Sequence, residues 1–289
     1  QNRPNTSWRQ VQNCRPQWGT LPDGQYSFVD IPVVANDVTG IKVVVEEAAM
    51  TWNHYIITEL ELLSLTADKS GYRLIFEDDF SGQGIDESKW LTQYFPHATT
   101  RNSDTVYHIE NGALTLYIPE DAQNYADYTS MKVSSVQTYE KNWLHPGASR
   151  ENFSDVPLYE SFTCQYGYFE MRAKLPACGG GGHVAWWLIG TQDDAQADGS
   201  GSAQNGEIDI LETTFLRTNT FSPKVHAWDD AKLSEYVEEV ALSGEYVNQY
   251  HTYAMDWTPE GITFFVDGQI IGKTTNSPNY RMAMLLGIY

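Results

Sequence analysis

Gly206-Glu207-Ile208-Asp209-Ile210-Leu211-Glu212-Thr213 sets three carboxylates into an otherwise apolar run. In a strand, successive side chains point to opposite faces, so Glu207 and Asp209 share one face while Ile208 and Ile210 share the other and can enter a core. Glu212 follows Glu207 by an odd offset, which in a regular strand would turn it into the Ile face. A one-residue bulge near Ile210 and Leu211 restores it to the acidic face. Carboxylates gathered on one face repel, which raises the pKa of at least one and leaves another ionised. A neutral and a charged carboxyl side by side are what glycoside cleavage uses, with retention of configuration when the two lie roughly 5 Å apart. With the bulge discounted, the backbones of Glu207 and Glu212 are roughly 13 Å apart at about 3.3 Å per residue. The strand must then curve and the side chains lean together, which predicts a concave sheet with a sugar lying across it. The competing readings are a calcium site and a solvated acidic strand. Calcium loops, however, draw on Asp, Asn and Gly in flexible segments rather than on Ile-interleaved strands.

Further motifs lie on both sides of this stretch. In chain order they are Phe76-Glu77-Asp78-Asp79-Phe80, then Tyr166-Gly167-Tyr168-Phe169-Glu170-Met171-Arg172-Ala173-Lys174-Leu175-Pro176, Ala185-Trp186-Trp187-Leu188, the acidic stretch, Trp257-Thr258-Pro259 and Phe264-Phe265-Val266-Asp267-Gly268. Their order over roughly residues 72–289 resembles glycoside hydrolase family 16. The resemblance implies an all-β fold, a concanavalin-like β-jelly-roll sandwich with a concave catalytic cleft, that cuts β-linked polysaccharide internally with retention. It also implies Glu207 as nucleophile, Asp209 as the residue that tunes and orients it, and Glu212 as acid/base. No cofactor is required. A structural calcium on the convex side occurs in the family, with Asp78, Asp79 or their backbone as contributors, and no metal ligands are assigned.

Composition agrees with a carbohydrate-active protein. The 289 residues suffice for one large domain and a small one. A net charge of −20 argues against nucleic acid and anionic membranes as partners and disfavours heavily sulfated glycans, which leaves neutral oligosaccharides or polysaccharides. Nine Trp and eighteen Tyr supply flat faces for pyranose stacking, although β-sandwiches also fill their cores with aromatics. Cys14, Cys164 and Cys178 form no disulfide framework. Cys164 and Cys178 flank what reads as one continuous strand, roughly 30 Å long, far beyond the about 7 Å limit between bridged Cα atoms. No apolar run is long enough to insert in a membrane. The chain begins at Gln1, so an export signal removed earlier is compatible with a secreted or cell-surface protein.

Three strand-like runs, 26–34, 40–46 and 56–63, are broken by Asp23-Gly24 and Asn36-Asp37. The run from Gly40 through Trp52 to Leu62 resembles the closing strands of a discoidin-like sandwich, the fold of many carbohydrate-binding modules. This assigns residues 1–65 to a partial module, 66–71 to a linker and 72–289 to a catalytic domain that the family continues past Tyr289. From residue 72 onward, short strands alternate with turn signals. Asn111-Gly112 and Asp267-Gly268 both read as hairpin turns.

Lys224-Val225-His226-Ala227-Trp228 reads as the strand returning beside the acidic one, with His226 and Trp228 sharing a face. His226 there can hydrogen-bond a hydroxyl or carboxylate and Trp228 can stack on a ring, although a lone strand His is more often structural. By the resemblance, Trp187 lines the subsite of the scissile sugar, and Trp186 points into the core. His183 stands where laminarin-cleaving members carry a Trp. An insertion from Tyr139 to Glu160, with Trp143, His145, Arg150 and Tyr159, is placed as a wall or lid of the cleft. Glu170 and Arg172 share a face and form either an ion pair beside the site or a surface pair. His183, the bulged acidic motif and the discoidin-like segment together resemble the endo-β-galactosidase branch. An endo-β-1,3-glucanase, a transglycosylase using the same glutamates and a non-catalytic lectin remain open.

Overall fold

The computed structural model describes residues 69, 71–140, 158–176, 180–192, 203–242 and 246–289. The discoidin-like segment 1–65 lies outside the described residues, as do Cys14, Cys178, Trp143, His145 and Arg150. Apart from one short 3₁₀ turn at Pro96–Ala98, the regular structure of the described residues is β. The strands are β1 (Tyr107–Glu110), β2 (Ala113–Leu116), β3 (Ser134–Gln137), β4 (Tyr139–Glu140), β5 (Tyr159–Glu160), β6 (Thr163–Cys164), β7 (Gly167–Lys174), β8 (His183–Gly190) and β9 (Glu207–Thr214). They continue with β10 (Thr220–Phe221), β11 (Lys224–His226), β12 (Tyr236–Val237), β13 (Val240–Ala241), β14 (Tyr250–Thr258), β15 (Gly261–Val266), β16 (Gln269–Thr274) and β17 (Met282–Ile288).

Two antiparallel sheets make the β-jelly-roll sandwich. One runs β12-β11-β9-β8-β17-β3 with β6 also on β17, and the other runs β16-β15-β14-β7. Period-2 burial sets the layers. Ile262, Phe264 and Val266 of β15 meet Tyr253, Met255 and Trp257 of β14 in one core with Val184, Trp186 and Leu188 of β8, Ile208 of β9 and Met282 and Met284 of β17. The alternate residues Ala185, Trp187, Ile189, Ala283 and Leu285 point the other way, under a second apolar layer of Tyr94, Phe95, Ala98, Tyr125 and Ala126. The central strands of the larger sheet are thus covered on both faces, which is why β8 and β17 read as nearly unbroken apolar runs.

Both hairpin turns form as the sequence indicates. Asn111 and Gly112 take φ of 54° and 71°, and Asp267 and Gly268 take 49° and 76°. These left-handed pairs fit two-residue turns between strands with a right-handed twist. The expected single strand from Cys164 onward is interrupted instead. β6 pairs with β17 in the larger sheet and β7 pairs with β14 in the smaller. The chain crosses between sheets at Tyr166 and Gly167, whose φ values are 64° and 142°. A turn that tight needs a residue tolerant of positive φ, and Gly167 supplies it. Cys164 is a buried free thiol, and burial raises its pKa. The ends of the 139–160 insertion pair as β4 and β5, Tyr139 opposite Glu160 and Glu140 opposite Tyr159. Residues 141–157 between them lie outside the described residues.

Candidate active site

The register around β9 carries the bulge. Trp186 pairs with Leu211, and Trp187 pairs with Asp209, so Ile210 is the extra residue. Ile208, Ile210 and Leu211 all enter the core between the sheets. Two consecutive core residues are what a bulge allows and a regular strand forbids. The shift returns Glu212 to the face of Glu207 and Asp209, and the three line one cleft of about 210 Å³ with Trp187, His183, Lys224, His226, Tyr94 and Tyr289.

Antiparallel partners carry their side chains on the same face, so the cleft floor is built in rows. Ile189, Glu207 and His226 form one row, and Trp187, Asp209 and Lys224 the next. Ala185 lies opposite Glu212, and its small side chain leaves the space above it open. Gly190 and Gly206 bracket the strand entry. A Cβ on Gly190 would collide with the Gln204 carbonyl, and one on Gly206 with Leu233 and the Tyr280 hydroxyl.

Glu207 and Asp209 are sunk into this floor. Glu207 is 9% exposed and Asp209 3% exposed. Burial between Trp187 and its neighbours removes them from water, while Glu212, with 23% of its side chain exposed, stands at the mouth. Burial first, then the charges of Glu207 and Glu212, push the Asp209 carboxyl well above its usual range. Its hydrogen bond with Glu207 acts in the same direction, and Lys224 opposes it. The shift favours the neutral form of Asp209, in which its carboxyl can donate in that hydrogen bond and Glu207 accept. The indole Nε1 of Trp228 donates to Glu207 Oε2 at 2.9 Å.

His226 sits where it is expected, Nε2 3.6 Å from Asp209 Oδ2, and its Nδ1 faces Glu235 Oε2 at 2.8 Å. Glu235 also accepts the Ala227 N–H at 2.8 Å, which fixes the ring from behind. Trp228 is displaced from its expected place. β11 ends at His226, and Trp228 takes φ of 44°, so it leaves the strand alternation and turns its Nε1 to the nucleophile candidate. Its ring centroid lies 5.6 Å from that of His226, and 44% of the residue remains exposed for a sugar.

Trp187 and Trp186 divide as expected, one into the cleft layer and one into the core. Trp187 is only 5% exposed, under Phe95 at 5.9 Å edge-on, and its Nε1 donates to the Tyr289 hydroxyl at 3.0 Å. His183 stacks on Tyr289 at 4.9 Å with 21° between planes. Burial holds the His183 imidazole below its ordinary pKa, and the nearby Glu212 carboxylate partly offsets this.

Two expected features fall elsewhere. Glu170 pairs with Lys69 at 2.5 Å, and Arg172 stacks on Tyr250 at 4.1 Å, so they form separate surface contacts on the smaller sheet. Asp78, named above as a contributor to a calcium site, is engaged by donors of the protein itself. Its two oxygens accept the Phe80 N–H at 3.0 Å and the Trp90 Nε1–H at 2.9 Å, and the Lys89 ammonium lies 3.9 Å away. Asp79 accepts the Ser81 N–H at 3.0 Å in a local turn.

The sequence reading passed over Lys224, Glu235, Tyr94 and Tyr289 as site residues. Lys224 shares the two-residue spacing with His226 that marks a common face, and that signal was legible. Lys224 Nζ donates to Glu212 Oε2 in an ion pair. Tyr94 arrives from a distant loop, and Glu235 precedes β12 in the connection that follows β11; no local pattern announces either.

Set beside known proteins, residues 124–285, more than half of the chain, match the family model for glycosyl hydrolases family 16. Among solved structures, a GlcNAcα1-4Gal-releasing endo-β-galactosidase from Clostridium perfringens aligns with a TM-score of 0.69 and 36% identity, covering 76% of this chain and 57% of that one. The catalytic domain of a laminarinase from Thermotoga petrophila RKU-1 shares the fold, with a TM-score of 0.56 at 20% identity, covering 75% of this chain and 86% of that one. Among curated proteins, glucan endo-1,3-beta-glucosidase A1 of Niallia circulans is 25% identical over 239 residues, 74% of this chain and 31% of its own length. A beta-glucanase of Rhodothermus marinus is 25% identical over 71% of this chain and 66% of its own length. The chain thus spans from about a third to two thirds of these curated relatives. With the acidic strand, its bulge and the two-sheet sandwich in place, the chain belongs to the glycosyl hydrolases of family 16.

Proposed function

We propose that this protein is an endo-acting, retaining hydrolase of internal β-galactosidic linkages in neutral glycans, secreted or displayed at the cell surface, where such polymers are met. The observation that carries the reading is the bulge at Ile210, which gathers Glu207, Asp209 and Glu212 on one cleft face. In the first step a Glu207 carboxylate oxygen bonds to the anomeric carbon as the glycosidic C–O bond breaks. The departing oxygen takes the proton of Glu212. In the second step Glu212, now a carboxylate, takes a proton from water. The hydroxide oxygen bonds to the anomeric carbon and Glu207 leaves. Asp209 stabilises charge on Glu207 through the hydrogen bond that it donates, Trp228 holds the other side of that carboxylate, and the exposed part of its ring offers a stacking face.

The choice of galactoside is supported by the 36% identity to the Clostridium perfringens endo-β-galactosidase and by His183 at the position where laminarin-cleaving members carry Trp. An endo-β-1,3-glucanase is the second reading, favoured by the names of the curated relatives. Incubation of the protein with laminarin, agarose and galactose-terminated mucin O-glycans, followed by mass spectrometry of released products, separates the two. Oligosaccharides from the mucin glycans alone are expected. Release from laminarin alone overturns the galactoside assignment in favour of a glucanase, and release from none favours a lectin.

A further inference from the structure

The ion pair between Lys224 and Glu212 has no part in the two-carboxylate mechanism, yet it is built into the cleft. Lys224 pairs with Asp209 across the strands, so its side chain belongs to the cleft face, and its stem reaches along β9 to Glu212. Both partners are mostly shielded, with 19% and 23% of their side chains exposed. Ion pairs this sheltered are screened less than surface ones. Lys224 grips one oxygen only, Oε2. The carboxyl it grips stands near the end of β9, above the small Ala185, where the backbone register alone does not fix the side chain.

We infer that Lys224 is a positioning residue for Glu212: by donating to Oε2 in both protonation states of the carboxyl, it leaves Oε1 to carry the proton aimed at the scissile oxygen in the first step and to take one from the attacking water in the second. The inference rests on the assignment of Glu212 as acid/base. The other ionisable groups around Glu212 are Asp209 and Glu207 on its own strand, His183 on β8, His226 on β11, and Tyr94 and Tyr289 over the cleft. Of the charged side chains lining the cleft, Lys224 is the lysine, and its ammonium has three donors with which to hold Glu212. A misplacement of about 1 Å at a reacting group costs on the order of 100-fold in rate.

The test uses Lys224→Met, with Lys224→Arg and Glu212→Ala beside it, on the glycan that the wild-type protein cuts. Lys224→Met is expected to lower kcat by about 10- to 100-fold with KM within about twofold, and Lys224→Arg to recover part of the loss. The specific signature comes from the 2,4-dinitrophenyl β-glycoside of the released product, whose leaving group departs without a proton. With it, the glycosyl-enzyme forms, and azide can bond to the anomeric carbon as the bond to Glu207 breaks, with no base needed. Azide is expected to accelerate Lys224→Met and Glu212→Ala but not the wild type, as loss of a merely structural contact would not produce. Wild-type kinetics in Lys224→Met, or a loss that azide does not restore in a variant that melts like the wild type, overturns the inference while Glu212→Ala still shows azide rescue. Full activity of Glu212→Ala on the glycan overturns instead the acid/base assignment beneath it. Lys224→Gln serves as the second variant if Lys224→Met melts early.

Discussion

Asp209 is the carboxyl whose state organises the rest of the site. Buried beside two other carboxyls, it stays protonated well above 3.8, the ordinary value for Asp, and its proton belongs to the hydrogen bond with Glu207. A folded state that keeps a proton the unfolded chain releases gains stability that is fully present below 3.8 and is lost as pH rises through the folded value. Asn is neutral at every pH and can donate the same bond. Thermal melts of Asp209→Asn and wild type across pH 4 to 8 should therefore diverge, the wild type losing up to about 1.4 kcal/mol per pH unit relative to the variant inside that window. Parallel curves would mean that Asp209 is ionised in the folded protein. The acidic triplet showed in the sequence that one carboxyl must be neutral. Which one, and that Glu207 is nearly as buried, depended on the packing of Trp187 and the loops above it, which no local pattern records.

At the scale of the element, β9 works because one residue is surplus. Ile210 has no partner on β8, and both it and Leu211 turn into the core. Deleting Ile210 would leave a regular alternation in which Glu207, Asp209 and Glu212 still share a face. The account predicts that the deletion variant folds with a stability loss of about 2–5 kcal/mol, the range for removing a large buried aliphatic side chain, and keeps measurable hydrolysis. Circular dichroism with chemical denaturation and a reducing-sugar assay check it. Loss of hydrolysis in a deletion variant that still folds would mean that the surplus residue does more than set the facing of Glu212. The bulge was legible because an odd spacing between carboxylates conflicts with a period of two. The end of β11 was not, since Trp228 continues the two-residue spacing from His226 but takes φ of 44° and leaves the sheet. The strand break at Tyr166 escaped notice for the same reason: Tyr166 and Gly167 read as part of an alternating run, and only the pairing of β6 with one sheet and β7 with the other exposes the crossing.

For the whole molecule, the two sheets divide the work. The smaller sheet closes the core with Tyr253, Met255, Trp257 and Phe264, all fully buried, and the larger sheet is left to carry a second layer on its outer face. The cleft opens in that second layer, where Tyr94 and Tyr289 meet the acidic strand, and burial raises the pKa of both phenols so that neither adds charge to a site already rich in carboxylates. Hairpin signals and alternating strands made the sandwich readable in advance. The loops that wall the cleft were not, because Tyr94 and Phe95 act at long range and carry no period. The central claim, that this wall and floor present Glu207 to an anomeric carbon with Glu212 beside it, has one direct test. The protein is incubated with the 2-deoxy-2-fluoro analogue of the dinitrophenyl glycoside, which slows the second step more than the first, then digested and mapped by mass spectrometry. The account predicts a single covalent glycosyl adduct on Glu207. An adduct on Glu212, or release of dinitrophenol with no adduct formed, would contradict it.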